Sequence, residues 1–160
     1  MNIREYKTSD FDAVWNIFKE VITTEDNFVF SKNTTHEEFK INWFGINKDT
    51  FIVEENGTIL GSYFIKPNQP DLGSHIANCG YMVSAQARGR GLGSILCEHS
   101  IQFAKTKGYI GIQFNIVVST NLAAVHLWEK HGFEIIGTTP KGFNHNKFGL
   151  VDSYIMYKAL

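Results

Sequence analysis

The chain has 160 residues, the length of one ordinary domain, with 43% hydrophobic residues and a formal net charge of -1. This composition favours a packed globule, and the near-neutral charge argues against a general nucleic-acid-binding protein, which usually carries a basic excess. Cys79 and Cys97 form neither a disulfide framework nor a zinc-binding spacing, so each is predicted to be a small buried side chain. Because no segment resembles a signal peptide or a membrane span, we expect a cytoplasmic protein with no membrane partner. The lack of a Cys/His spacing typical of zinc sites leads us to expect no metal.

In chain order, the first half of the sequence predicts a strand, two helices and a hairpin. Apolar residues that recur every three or four positions mark the first helix, capping clusters precede both helices, and Asn56-Gly57 is a hairpin turn. The predicted elements are a strand over 3–7, a helix capped by Thr8-Ser9-Asp10, a polar loop over 23–32, a helix from Thr34-Thr35 through Trp43, and strands over 51–53 and 59–65.

The second half of the sequence predicts strands that alternate with helices. The strand over 109–118 is dense in β-branched residues, which is typical of a central, buried position. The predicted elements are a strand over 76–84, a helix from a glycine-rich turn to Gly108, the strand over 109–118, a helix from Asn121 to Gly132, and strands over 133–137 and 151–157 with a loop between them. This order predicts one α/β domain over residues 1–160, with no repeat and no linker.

The turn Arg88-Gly89-Arg90-Gly91-Leu92-Gly93-Ser94 is a candidate anion site. Its glycines let backbone N–H groups approach a ligand, the following helix adds partial positive charge, and two arginines add charge-assisted contacts. Together these features favour a pyrophosphate. A Walker loop is a poor alternative because no lysine follows Gly93, and a dinucleotide fingerprint is poor because its spacing differs and it belongs near the first strand. A turn that merely joins strand to helix remains an alternative.

A second motif follows in the segment Asn121-Leu122-Ala123-Ala124-Val125-His126-Leu127-Trp128-Glu129-Lys130-His131-Gly132-Phe133. The turn and this segment together resemble the GNAT superfamily of acetyl-CoA-dependent N-acetyltransferases. The resemblance implies a mixed α/β (α+β) fold, whose mostly antiparallel central sheet has splayed strands and is flanked by helices. It also implies acetyl-CoA as cosubstrate. The positions that carry the resemblance are Arg88, Gly91 and Gly93 in the turn, and Asn121, Ala124, Leu127, Gly132 and Phe133 in the segment.

The resemblance also implies where acetyl-CoA binds. The pantetheine arm is expected between the splayed strands, held by backbone groups near Met82 and Val83, one of whose N–H groups polarises the thioester carbonyl. Asn121 either bonds this arm or caps its own helix. The expected cofactor-binding residues are Met82, Val83, Arg88, Gly89, Arg90, Gly91, Leu92, Gly93, Ser94, Asn121, Ala124 and Trp128.

This sequence departs from the family at the two positions where a catalytic acid and a catalytic base are expected. The family often places a tyrosine where this chain has Trp128, whose indole N–H donates a hydrogen bond but is no practical acid. The family's glutamate on the strand before the turn is absent too. Asn78 and Asn115 either satisfy each other or nearby backbone, or they face the acceptor and hold an amine or a water. Glu25 is a candidate carboxylate, with a solvated loop acid as the alternative.

The resemblance is closest to the branch that acts on small amines and amino-acid-like acceptors, such as the phosphinothricin type. It implies direct attack of a primary or secondary amine on acetyl-CoA in a ternary complex. The alternatives are a protein N-terminal or lysine acetyltransferase, and an acyl-CoA-binding module that has lost catalysis. The segment 141–145 is a candidate loop over the acceptor. A homodimer is one alternative for the assembly.

Overall fold

The computed structural model describes residues 1–160 as one seven-stranded sheet with helices on both faces. The strand order is β1-β2-β3-β4-β5-β7-β6, and β4–β5 is the only parallel pair. None of the helices is long and apolar enough to cross a lipid bilayer. The elements are β1 (Asn2–Glu5), α1 (Phe11–Thr23), α2 (His36–Phe44), β2 (Asp49–Glu55), β3 (Thr58–Pro67), β4 (Ile76–Val83), α3 (Leu92–Thr106), β5 (Gly111–Val118), α4 (Leu122–Lys130), β6 (Glu134–His145) and β7 (Gly149–Ala159).

The mixed, mostly antiparallel sheet confirms the predicted fold class, and the local signals explain most of it. Thr35 accepts a hydrogen bond from the Glu38 amide, which is the capping box predicted at the start of α2. Asn121 caps α4 in the same way, and Gly132 ends that helix with a φ of 82°. Each of these helix boundaries depends on residues within one turn of it.

The last hairpin differs from the prediction. A strand was expected to end near Gly137, but β6 continues to His145, so the predicted loop over 141–145 is wrong. The pairing with β7 continues because an irregularity between Thr139 and Phe143 absorbs residues that look like a loop, and Lys141 adopts a left-handed φ of 55° there. Phe143 is buried on this strand, and the segment does not line the cleft described below.

Two hydrophobic clusters cover the two faces of the sheet. One joins α1 and α2 to β2–β4 and is built on aromatic residues such as Phe18, Phe39 and Trp43. The other joins α3 and α4 to β2–β5 and β7. Trp43 is fully buried, and its Nε1 donates to Ser62 Oγ at 3.0 Å, so no polar atom is left unpaired. Each such side chain contributes about 1.5–3 kcal/mol through burial.

The strands β4 and β5 separate after a very short contact. They pair only at Ile76 with Gly111 and at Ala77 with Ile112. At the next position, Asn78 Nδ2 donates to the Gln113 carbonyl at 2.9 Å, so a side chain replaces the backbone ladder where the strands part. The sheet is therefore open in its middle.

Candidate active site

A cleft of about 380 Å³ occupies the opening between β4 and β5. Residues from the α1–α2 loop, the paired ends of β2 and β3, the two splayed strands and α4 form its walls. The lining residues are Asn27, Phe28, Val29, Phe30, Asn42, Lys48, Phe64, Lys66, Asn78, Cys79, Gly80, Tyr81, Phe114, Asn115, Ile116, Val117, Val118, Asn121, Ala124 and Trp128.

The free edge of β4 offers backbone groups to this opening. The Ser84 amide donates to the Leu60 carbonyl at 2.8 Å, and this bond shows which residues of β4 direct their backbone groups towards β3. Because ladder bonds alternate along an antiparallel pair, every second residue points its N–H and C=O away from β3. The residues beyond the strand separation that point this way are Cys79, Tyr81 and Val83.

Met82 and Val83 were both expected to bind pantetheine through their backbone groups. The β3–β4 register directs only those of Val83 towards the opening. The backbone groups of Met82 are directed at Ser62 of β3, and its side chain is 2% exposed within the cluster under α1. Tyr81 takes the place of Met82 on the free edge. The alternation of the strand explains the difference, because neighbouring residues cannot both face the opening.

The glycine turn presents unpaired amides at the start of α3. The first bond within the helix runs from the Ile95 amide to the Gly91 carbonyl, and no side chain caps the helix. The amides of the N-cap and the first turn, residues 91–94, therefore lack intrahelical acceptors. Gly89 and Gly91 have φ values of 76° and 78°, and a Cβ atom on either would meet nothing within 4 Å. Their backbone conformation requires glycine, and the space beside it is open to an anion.

Three other residues of the turn also have packing roles. A Cβ atom on Gly93 would lie 2.9 Å from Leu127 Cδ2, so this glycine lets α3 approach α4. Leu92 is 1% exposed in the core, and Ser94 Oγ shares a hydrogen bond with His131 Nε2 at 3.0 Å. The close approach at Gly93, the burial of Leu92 and the bond of Ser94 hold the turn in place, while the amides of the three residues stay available.

The two arginines of the turn have different surroundings. Arg90 Nη2 donates to Oε2 of Glu55, the last residue of β2, at 2.6 Å, and this contact lowers the pKa of the Glu55 carboxyl. Arg88 is exposed and forms no ion pair. The ion pair holds the Arg90 guanidinium beside the glycine turn.

The α4 residues expected at the cofactor do line the cleft. Asn121 Oδ1 accepts from the Ala124 amide at 3.2 Å, so Asn121 caps its own helix, as one of the two expectations for it stated. Asn121 and Ala124 also line the cleft. Trp128 is 9% exposed and packs on Tyr81 and Phe114, with ring centroids 5.0 and 4.7 Å away. Its Nε1 has no partner in the chain and is not sealed from solvent. An indole N–H is therefore available at the cleft wall.

The two candidate asparagines lie in the cleft, and each is already hydrogen-bonded. Besides the bond from Asn78 to Gln113, Asn115 Nδ2 donates to Asn68 Oδ1 at 2.8 Å. Asn115 Oδ1 accepts from Gln113 Nε2 at 3.1 Å. The two asparagines thus do not bond to each other, and their amides are held in place in the wall of the cleft.

Glu25 is not brought together with these residues. Its carboxylate lies 3.5 Å from Lys32 Nζ, and it does not line the cleft. Its backbone adopts a left-handed φ of 47°, and its carbonyl accepts from the Asn146 amide at 3.2 Å. Glu25 thus contacts Lys32 and the last hairpin from the loop that leads to Phe28 and Phe30, outside the cleft.

The comparison with known proteins identifies the family. Residues 12–133 match the model of the Acetyltransferase (GNAT) family. The chain belongs to this family. It is 36% identical over 107 residues to N-acetyltransferase aca1 of Schizosaccharomyces pombe, a match that covers 66% of this chain and 51% of that protein. The chain thus spans about half the length of this relative.

Solved structures share the whole GNAT fold of this chain. A GCN5-related N-acetyltransferase from Kribbella flavida has a TM-score of 0.94 and 37% identity, and the match covers 99% of this chain and 97% of that one. The acetyltransferase yncA of Salmonella typhimurium, whose structure holds its cofactor acetyl-CoA, has a TM-score of 0.87 and 21% identity over 100% and 94% of the two chains. The second likeness shows the fold alone.

The GNAT cleft of this chain contains no carboxylate. Its titratable side chains are two lysines, Cys79 and Tyr81. Burial raises the pKa of the Cys79 thiol to about 12, and it raises the pKa of Tyr81, whose hydroxyl shares a hydrogen bond with Ser100 Oγ at 2.7 Å. Neither group is ionised near neutral pH. No group of three His, Cys, Asp or Glu side chains is arranged to hold a metal ion.

Sequence reasoning missed the two lysines, Lys48 and Lys66. They are 18 positions apart in the sequence, where no motif connects them, and only the β2–β3 register brings them to the same wall. Both lysines lie outside the strands predicted for this hairpin, and the irregularity between Val53 and Glu54 shifts the register by one residue, so counting from the turn would not pair them.

Proposed function

We propose that this GNAT-family protein transfers the acetyl group of acetyl-CoA to a primary or secondary amine of a small, amino-acid-like molecule. The amine attacks directly in a ternary complex. The observation that carries the proposal is the cleft between the splayed strands, with the free edge of β4 on one side and the open amides of residues 91–94 at the start of the following helix. Gly93 packs on α4, the helix that also lines the cleft, so turn and cleft adjoin.

The residues of the chain fit acetyl-CoA at both ends. The amides of residues 91–94 and the two arginines suit a pyrophosphate, and the free groups of Tyr81 and Val83 suit the amides of an extended arm. When bound, acetyl-CoA supplies an activated thioester carbonyl. A free N–H on β4 stabilises negative charge on the carbonyl oxygen, and the accessible N–H of Trp128 donates a hydrogen bond at the cleft wall.

The proton of the amine has no carboxylate to receive it. Asn78 and Asn115 hold the amine or a water molecule through amide groups that are already oriented by their neighbours. Two ammonium groups and no carboxylate in the cleft favour the neutral form of the incoming amine. Water in the cleft then carries the proton away, which removes the need for a dedicated glutamate.

A small acceptor suits the walls of the cleft better than a protein chain does. Phe28 and Phe30 of the α1–α2 loop cover the acceptor side, and Phe30 packs on Phe18 with ring centroids 5.5 Å apart. Asn146 ties the start of this loop to the last hairpin. The whole cleft has a volume of about 380 Å³, in the range of small-molecule sites, and part of that space belongs to the pantetheine arm, so the space left for the acceptor is small.

The test is thiol release from acetyl-CoA by the purified protein with a panel of amino acids, polyamines and peptides. Turnover on small amines is the expected result. Turnover on peptides alone would instead assign a protein acetyltransferase, and tight binding of acetyl-CoA without turnover on any amine would assign a binding module.

A pair of glycine variants tests the pyrophosphate site. We expect Gly91→Ala to raise the KM for acetyl-CoA about tenfold, because a methyl group enters the space beside the free amides. Gly108→Ala is the matched control, since Gly108 also has a left-handed φ and open space but lies at the far end of α3. An unchanged affinity for acetyl-CoA in a folded Gly91→Ala variant would refute the pyrophosphate site.

A further inference from the structure

Two lysines stand side by side in the acceptor half of the cleft. Asp49 pairs with Ile65, so Lys48, one position earlier, lies opposite Lys66 at the end of the β2–β3 ladder. Lys66 in turn lies opposite Asn78 of β4. All three side chains line the cleft, so they form a row across three neighbouring strands.

No acidic group neutralises this pair. Neither lysine lies within 4.0 Å of a carboxylate, and the nearest acid in the sequence, Asp49, pairs with Lys107 at 3.4 Å. Directly opposed like charges destabilise a pair of strands. Partial burial and the charge of Lys66 both lower the pKa of Lys48, which shows the same repulsion. The arrangement has an energetic cost that a bound anion would offset.

The two ammonium groups are also placed to receive a ligand. Lys48 Nζ donates to the Ile41 carbonyl at 2.8 Å and lies 5.6 Å from the centre of the Phe64 ring, so it is held in position with further N–H groups to donate. The side chain of Lys66 forms no hydrogen bond or ion pair within the chain and can turn towards the same ligand.

We infer that Lys48 and Lys66 form a subsite for an anionic group on the acceptor, a carboxylate by preference. The inference rests on the proposed function, because it assigns the amine substrate to the class of amino acids. Lys66 and Asn78 are directly opposite on strands about 5 Å apart, so a small amino acid can place its amine at Asn78 while the flexible Lys66 side chain meets its carboxylate. A molecule with both groups would meet both ends of the row.

Matched substrates test the inference by kinetics. We expect kcat/KM for amino acids to exceed that for the corresponding amino-acid amides at least tenfold. Lys66→Gln should lower kcat/KM at least tenfold for the acids and at most twofold for the amides. Lys40→Gln is the control for charge, because Lys40 is exposed on α2 and does not line the cleft. Equal rates for acids and amides, or a Lys66→Gln variant that keeps its preference for acids, would overturn the subsite.

A binding experiment separates this inference from the proposed function. N-acetyl amino acids and their amides are titrated by calorimetry into the protein loaded with CoA, which requires no turnover. Tighter binding of the acids that Lys66→Gln abolishes supports the subsite even if no amine is acetylated. If no acid of the panel binds more tightly than its amide, the subsite is refuted, whatever the acetylation assay shows.

Discussion

Trp128 occupies the position at which the GNAT resemblance leads one to expect a tyrosine. Its ring fills the space between Tyr81, Phe114 and Phe133, and only its N–H is left without a partner in the chain. An indole N–H stabilises developing charge by donating a hydrogen bond, but it does not release a proton at neutral pH. We therefore expect the residue to act through packing and polarity, and not as the acid that protonates the departing thiolate.

The variant Trp128→Phe tests this role. We expect kcat to fall less than tenfold, because the phenyl ring keeps the packing and only one hydrogen bond to the site is lost. The smaller ring should lower the free energy of unfolding by about 1 kcal/mol. Steady-state kinetics and thermal unfolding measure the two effects, with Trp128→Tyr as the comparison. A loss of kcat of a hundredfold or more at normal stability and CoA affinity would mean that the indole N–H is essential.

At the scale of elements, the last hairpin holds a wall of the cleft. Asn146, at the tip between β6 and β7, donates from Nδ2 to the Thr24 carbonyl at 2.6 Å and from its amide to the Glu25 carbonyl at 3.2 Å. Only a few residues later, the same loop contributes Phe28 and Phe30 to the cleft. Segments more than a hundred residues apart in the sequence therefore shape the acceptor side together.

Replacing Asn146 should weaken acceptor binding without affecting acetyl-CoA. We expect Asn146→Ala to raise the KM for the amine three- to tenfold, because the loop loses one of its two bonds to the hairpin, while the KM for acetyl-CoA stays within twofold. Asn144→Ala is the control, since Asn144 is exposed near the end of β6, two residues before Asn146, and its side chain forms no hydrogen bond. If both variants raise the KM for the amine equally, the Asn146 contact is not what positions the loop.

The helices were predictable because their ends depend on residues close by in the sequence. The strand lengths and the cleft residues were difficult to predict because they depend on pairing between residues far apart in the sequence. Thr35 and Asn121 cap their helices through neighbours three residues away, so the sequence alone reveals them. The length of β6 depends instead on its register with β7, and the lysine pair depends on the register of β2 with β3. The free edge of β4 was predicted, but which of its residues face the opening follows only from the alternation of its bonds with β3.

At the scale of the whole molecule, Asp10 connects the first strand to the first helix. The predicted cap residue does not cap α1 with its side chain. Its carboxylate instead accepts from Arg4 at 2.7 and 3.0 Å and from the Lys7 amide at 2.7 Å. The hydrogen bond from Arg4 is the main reason that the pKa of Asp10 lies below its usual value of 3.8. The ionised form is therefore the one that stabilises the fold.

This pKa shift makes stability depend on pH in a defined direction. A depressed pKa in the folded state contributes stability above pH 3.8, and that contribution is lost as the pH falls through the folded-state value. We expect Asp10→Asn to lower the free energy of unfolding by about 1–3 kcal/mol at pH 7, with the difference shrinking in acid. Denaturant titrations at several pH values measure it. The exposed Asp12→Asn variant is the control, and equal losses in both variants at pH 7 would contradict the assignment.

The brief contact between β4 and β5 also has a mechanical consequence. The sheet consists of two hydrogen-bonded plates, β1 to β4 and β5 to β7, and only two residue pairs of backbone ladder join them. Beyond this short seam, the plates are joined by the Asn78 bond, by the bond from Asn115 to Asn68, and by side chains of the cluster under α3 and α4. A force that pulls the plates apart is therefore resisted mainly by packed side chains and less by a backbone ladder. An extended molecule bound in the opening would form hydrogen bonds along the edge of one plate and contact the other, so it would hold the two plates together.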